Sequence, residues 1–162
     1  MVSERRQLLR VADLIDIAIG METAGERFYL RAAKLSHDTR LKKTFDFLAN
    51  EEKHHRDQFE ARFERKRKLE SEKELPEGYH EYLNVFGSTL LFDEEELEQI
   101  MDRIKTSQDA IDFAIQREKD SMLFYYEISQ FLPENEQDIV GDILNEERKH
   151  YEILTNIKGI FD

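Results

Sequence analysis

Two Glu-x-x-His sequences are the strongest candidates in this chain for a metal-binding site. Glu52 with His55, and Glu147 with His150, each place a carboxylate and an imidazole three residues apart. Because residues three apart on a helix share a face, each pair can present an oxygen and a nitrogen to one point. These donors suit iron or manganese, and zinc also accepts them. The chain contains no Cys, which excludes thiolate metal sites and a cysteine nucleophile.

Two further glutamates, Glu22 and Glu118, interrupt the apolar faces of predicted helices. A buried carboxylate without a partner is costly, so such groups pair, take up a proton or bind metal. We expect no Lys or Arg at the same level of the helices, which makes a pair of divalent cations the simplest counter-charge. A metal-free, hydrogen-bonded polar layer that fixes the register of the helices is the alternative. The six interior groups are Glu22, Glu52, His55, Glu118, Glu147 and His150.

A second register of the first motif has to be weighed, because Glu51 and His54 also spell Glu-x-x-His. The spacing of the apolar residues favours Glu52 and His55, which continue the interior face formed by Leu41, Phe45 and Leu48.

The elements that must position these groups are helices. The chain has only six Gly and two Pro, and Glu, Lys, Arg, Leu and Ile dominate, which favours helix over strand. Apolar residues recur at helical spacing in four long segments. The first runs from Val11 to Leu35, and the second follows the break at 36–38. The third begins near Ser107, a candidate N-cap, and the fourth follows the break at 132–135.

The four segments are two copies of one helix pair, and the repeat includes the polar interior residues. In the first and third segments, Glu22 corresponds to Glu118 and Tyr29 to Tyr125. In the second and fourth, Asn50-Glu51-Glu52 corresponds to Asn145-Glu146-Glu147, and His55 to His150. The sequence therefore predicts an all-α four-helix bundle made of two repeated antiparallel helix pairs.

We predict a single domain over 1–162, with helix pairs at 11–68 and 107–158. The segment between them, 69–106, is too long for a hairpin turn and predicts a crossover connection. A short helix is expected at Glu94 to Ile104 with Asp93 as its cap. The aromatic stretch before it is expected to pack on the bundle or on a partner chain.

The net charge of −12 argues against nucleic acid as a partner, which would require a concentrated basic surface. We find no apolar run long enough to span a membrane and no apolar segment typical of a signal peptide. A cytoplasmic protein is the resulting expectation.

The segments 21–29 and 50–55, with their counterparts 117–125 and 145–150, resemble rubrerythrin-like proteins of the ferritin-like di-iron carboxylate superfamily. The resemblance implies two iron ions. Glu22 and Glu118 would be terminal ligands, Glu52 and Glu147 bridging ligands, and His55 and His150 nitrogen ligands. Tyr29 and Tyr125 would either hydrogen-bond ligand carboxylates or pack with their hydroxyl groups satisfied elsewhere.

The chain departs from the resembling family in two respects. It has no Cys and hence no four-cysteine rubredoxin domain, so an enzyme of this kind would need an external electron donor. The family's extra Glu, three residues after the ligand of the third helix, is replaced by Ser121, with Gly25 at the corresponding place in the repeat.

The resemblance implies reduction of peroxide or dioxygen, oxidation of ferrous iron, or both, in a homodimer. The alternatives are an iron-binding or storage protein of ferritin type, and a structural bundle with residual metal.

Overall fold

The computed structural model describes residues 11–67, 76–132 and 134–161, and this part of the chain is helical with no strand. The all-α prediction is therefore confirmed. Within these ranges, no helix is both long enough and apolar enough to cross a bilayer. The helices are α1 (Val11–Leu35), α2 (Thr39–Arg67), α3 (Glu77–Leu90), α4 (Glu94–Arg103), α5 (Ser107–Ser129) and α6 (Glu134–Phe161).

The four long helices form two antiparallel pairs, α1 with α2 and α5 with α6, as the repeat predicted. The break at 36–38 lies where it was expected. Asp38 starts α2, because its side chain accepts hydrogen bonds from the backbone N–H groups of Arg40 at 2.8 Å and Leu41 at 3.1 Å. Pro133, in the predicted break between α5 and α6, lies outside the described residues, as do residues 68–75 at the start of the crossover.

The core consists of two apolar clusters, one on each side of the level of Glu22 and Glu118. One contains Leu14 of α1 with Phe59 of α2, and the other contains Phe28 of α1 with Leu48 of α2. Because α1 residues before Glu22 cluster with α2 residues after His55, the six predicted groups occupy a polar layer between two sealed apolar regions.

The crossover must run the length of the bundle, because α2 ends beside the first cluster and α5 begins beside the second. Leu83 and Leu90 of α3 pack into the first cluster, and Leu97 and Met101 of α4 pack into the second. The segment therefore packs on the bundle. The short helix α4 is confirmed with Asp93 as its cap. Helix α3 was not predicted as a helix.

One cap was assigned to the wrong residue. Thr106, not Ser107, caps α5: its hydroxyl accepts the N–H of Asp109 at 3.1 Å, and the Asp109 carboxylate accepts the N–H of Thr106 at 2.9 Å. This reciprocal pair satisfies two N–H groups that helix formation leaves without partners, which a cap at Ser107 would not do in this register.

Candidate metal centre

The structure brings all six predicted groups together in the interior. Glu22 comes from α1, Glu118 from α5, and the two Glu-x-x-His pairs from α2 and α6. None of the six is more than 2% exposed, whereas His54 is exposed and Glu51 is partly exposed. The helix faces therefore orient Glu52 and His55, not Glu51 and His54, into the bundle.

The donor atoms form two overlapping groups, within each of which all atoms lie within 4.8 Å of one another. Glu52, Glu118, Glu147 and His150 form the four-residue group, and Glu22, His55 and Glu147 form the three-residue group. Nδ1 of His55 lies 2.8 Å from Glu147 Oε1, and Nδ1 of His150 lies 3.7 Å from Glu147 Oε2. Glu147 belongs to both groups, as a ligand shared between two cations would.

Several polar atoms of the six residues are buried and have no hydrogen bond with good geometry, although some lie close to one another. They are Glu22 Oε2, Glu118 Oε2, both oxygens of Glu147, and Nδ1 of His55 and His150. Buried polar atoms in native proteins normally have hydrogen-bond partners. Several carboxylate oxygens and imidazole nitrogens that lack partners and converge on one place fit a bound cation. The residues present therefore fit a pair of metal ions.

Two tyrosines link the helix pairs across the site. The Tyr29 hydroxyl donates to Glu118, and the Tyr125 hydroxyl donates to Glu22. Both rings are fully buried. Of the two roles considered for these tyrosines, the structure shows hydrogen bonding to the site carboxylates, which fixes one oxygen of each and orients the other toward the layer.

The outer nitrogen of each histidine faces a glutamate that was not predicted as part of the site. His55 Nε2 lies 2.8 Å from Glu146 Oε2, and His150 Nε2 lies 3.8 Å from Glu51 Oε2. Glu51 and Glu146 are counterparts in the repeat, directly before Glu52 and Glu147. A carboxylate on the outer nitrogen sets the tautomer that leaves Nδ1 free to bind metal. Their place in the repeated Asn-Glu-Glu motif was the available signal.

We expect Glu146→Gln to weaken metal binding at the position built on His55 by roughly 10- to 100-fold, the range typical of such outer partners. Glu51→Gln should have a smaller effect, because its contact is longer. Titration of each variant with Co²⁺ provides the measurement. Unchanged metal affinity in Glu146→Gln would show that this contact does not orient His55 for metal binding.

Arg117 corrects the expectation that no cation lies at the level of the carboxylates. It is 6% exposed, and its Nη2 donates to Glu52 Oε2 at 3.2 Å and to the Met21 carbonyl at 2.8 Å. Because Arg117 directly precedes Glu118, helical periodicity places its Cα beside the interior face, not on it. The length of the side chain lets it reach the layer from there.

Together, burial and neighbouring charges shift the pKa values of Glu118 and of the two histidines upward. Burial raises the pKa of Glu118, and the Glu147 carboxylate raises it further, to about 8. Burial alone would lower the pKa of His55 and of His150, but the adjacent carboxylates outweigh it and raise the two values to about 12 and about 10. Metal binding must displace these protons.

A bundle of two helix pairs with this layer of Glu and His defines the class of ferritin-like di-iron carboxylate folds. The rubrerythrin family model matches residues 13–158. The chain therefore belongs to the rubrerythrin family, as the resemblance implied. A search of curated proteins finds no match.

Three solved structures share the fold. A candidate ferritin-like diiron-carboxylate protein from Thermotoga maritima is 27% identical, with a TM-score of 0.73 over 95% of this chain and 97% of the other. A dodecameric thioferritin, the bacterioferritin-related protein of Bacteroides fragilis, is 20% identical, with a TM-score of 0.65 over 90% and 82%. A hypothetical protein from Pyrococcus furiosus is 22% identical, with a TM-score of 0.65 over 93% and 89%.

Proposed function

We propose that this chain binds two iron ions and is a non-haem oxidoreductase that reduces peroxide or dioxygen, oxidises ferrous iron, or does both. The observation that carries the proposal is the pair of overlapping donor groups that share Glu147. Carboxylates and imidazoles without thiolate suit iron, and manganese or zinc would fit the same donors. Glu22, Glu52, His55, Glu118, Glu147 and His150 would hold the two ions.

When bound, a pair of ferrous ions supplies the electrons and the positive charge that reduction of an O–O bond requires. The protein holds the donors in place: Tyr29 and Tyr125 orient two carboxylates, while Glu51 and Glu146 face the outer nitrogens of the histidines. The two apolar clusters restrict water on both sides of the layer. Since the donors are almost fully buried, the site favours oxidants as small as hydrogen peroxide or dioxygen.

Reduction of hydrogen peroxide to two waters consumes two electrons and two protons, so continued turnover needs a reductant. The chain has no Cys to hold an iron–sulfur centre. An external electron donor therefore belongs to the proposal. The homodimer and the cytoplasmic location stay predictions.

Rapid mixing of the Fe²⁺-loaded protein with each oxidant tests the proposed activity. We expect hydrogen peroxide to oxidise the site about tenfold faster than dioxygen does, because a pair of ferrous ions would supply the two electrons that peroxide needs, whereas reduction of dioxygen to water needs four. Multiple turnovers should then follow when a chemical reductant is supplied. Inertness toward both oxidants in a protein that binds two iron ions would contradict the enzyme and leave the structural alternative. Accumulation of many iron ions per chain in a large assembly would favour storage.

A further inference from the structure

Arg117 engages one of the two carboxylate oxygens that Glu52 could offer to metal. Its Nη2 donates to Glu52 Oε2 at 3.2 Å, and the Met21 carbonyl accepts from the same nitrogen at 2.8 Å. A hydrogen bond from a charged guanidinium to a carboxylate is stronger than one between neutral groups. Arg117 therefore competes with any cation for Oε2.

Gly25 provides the space for this contact. A Cβ added at Gly25 would fall well inside contact distance of Arg117 Nη2 and of Glu52 Oε2. Any larger residue at this position would push the guanidinium and the carboxylate apart. Gly25 of α1 and Arg117 of α5 therefore form one arrangement, although they lie on different helices.

The arrangement breaks the symmetry of the repeat. Met21 is the repeat counterpart of Arg117, and Ser121 is the counterpart of Gly25. Glu147, the repeat counterpart of Glu52, contributes to both groups of donors, whereas Glu52 contributes to the four-residue group alone. Both carboxylate oxygens of Glu147 lack hydrogen bonds, whereas Oε2 of Glu52 accepts a hydrogen bond from Arg117. The two glutamates at equivalent places thus have different surroundings.

We propose that Arg117 is a positioning residue that makes the two metal positions unequal, by restricting Glu52 to the position formed with Glu118, Glu147 and His150. The position formed by Glu22, His55 and Glu147 is then short of one carboxylate. The two ions bind in sequence, the first at the four-residue group. This inference rests on the proposed two-metal site and goes beyond it, since it assigns an order of loading.

Anaerobic titration with Co²⁺, followed by its visible absorption and by calorimetry, tests the order. We expect the wild-type protein to bind two ions in separated steps, with affinities that differ by roughly 10- to 100-fold, the range that one charge-assisted hydrogen bond accounts for. Arg117→Met, which installs the residue of the repeat counterpart, should bring the two steps together by strengthening the second. Arg117→Lys, which keeps the charge, should retain part of the separation.

Gly25→Ala provides a second route to the same result without changing Arg117, and alanine favours the helix. It should also merge the two steps. Gly141→Ala is the matched control, because a Cβ there meets no atom within 4 Å. Arg56→Met is the control for loss of an arginine, since Arg56 pairs with Glu26 and Asp57, neither of which is one of the six donors.

Two separated steps in the wild type that persist in both Arg117→Met and Gly25→Ala would overturn the inference, as would two equal steps in the wild type. Failure of the wild type to bind two ions would instead overturn the two-metal site itself. The same titration therefore distinguishes the two failures.

Discussion

Glu147→Ala is expected to remove both metal ions, because Glu147 is the residue common to the two groups of donors. Outer partners of metal ligands already change affinity by 10- to 100-fold, so loss of a shared ligand should weaken both positions by more than about 100-fold. Glu118→Ala should remove the ion at the four-residue group and retain part of the binding at the other. Equilibrium dialysis against Fe²⁺ without oxygen gives the number of bound ions for each variant.

Glu152→Ala is the control, since Glu152 lies exposed on the same helix as Glu147. It should bind as the parent does. If Glu147→Ala kept two ions at parental affinity, the shared position of Glu147 would have no bearing on metal binding. A variant that lost both ions because it failed to fold would be recognised by its loss of helical circular dichroism.

Metal loading is expected to raise the melting temperature strongly. A ligand that binds only the folded state stabilises it by about 2.7 kcal/mol at a free concentration 100 times its dissociation constant. Two ions under that condition would contribute about 5 kcal/mol, and a chain of this size gains about 2–4 °C for each kcal/mol. We therefore expect a shift of roughly 10–20 °C between the metal-free and the loaded protein.

Differential scanning calorimetry with and without Fe²⁺ or Co²⁺ measures this shift. Glu147→Ala should show little of it, and Mg²⁺ at the same concentration should produce much less, because imidazole ligands do not suit that ion. A metal-free polar layer would behave differently: the melting temperature would then be the same with and without transition metal.

Most of the fold follows from the sequence because the repeat fixes the same features twice. Glu22 and Glu118 stand at equivalent places in the apolar patterns, and so do Glu52 and Glu147. A helix period that places such carboxylates on an interior face leaves few arrangements other than a bundle with a polar layer. The choice of Glu52 over Glu51 follows from the same periodicity.

Helix α3 was not predicted, because its apolar residues are not buried as a regular face. Tyr79 is 40% exposed and Val85 is 62% exposed, while Leu83 is fully buried. Its position depends on packing against the first apolar cluster. The residue pattern of the segment alone does not predict that contact.

The contact of Arg117 with Glu52 was missed for a different reason, since it depends on side-chain length and on space at a residue of another helix. Periodicity places Arg117 beside the interior face, and only the folded structure brings its guanidinium next to Gly25. The unequal repeat pairs, Met21 with Arg117 and Gly25 with Ser121, were visible in the sequence. Both differences lie close to the predicted ligands, which was the available signal.

Anomalous diffraction at the iron absorption edge, from crystals loaded with Fe²⁺ without oxygen, tests the central claim most directly. The account predicts two peaks in each chain, one among Glu52, Glu118, Glu147 and His150, and the other among Glu22, His55 and Glu147. Absence of iron from this layer, with the six side chains bonded to one another, would contradict it and establish a metal-free polar layer.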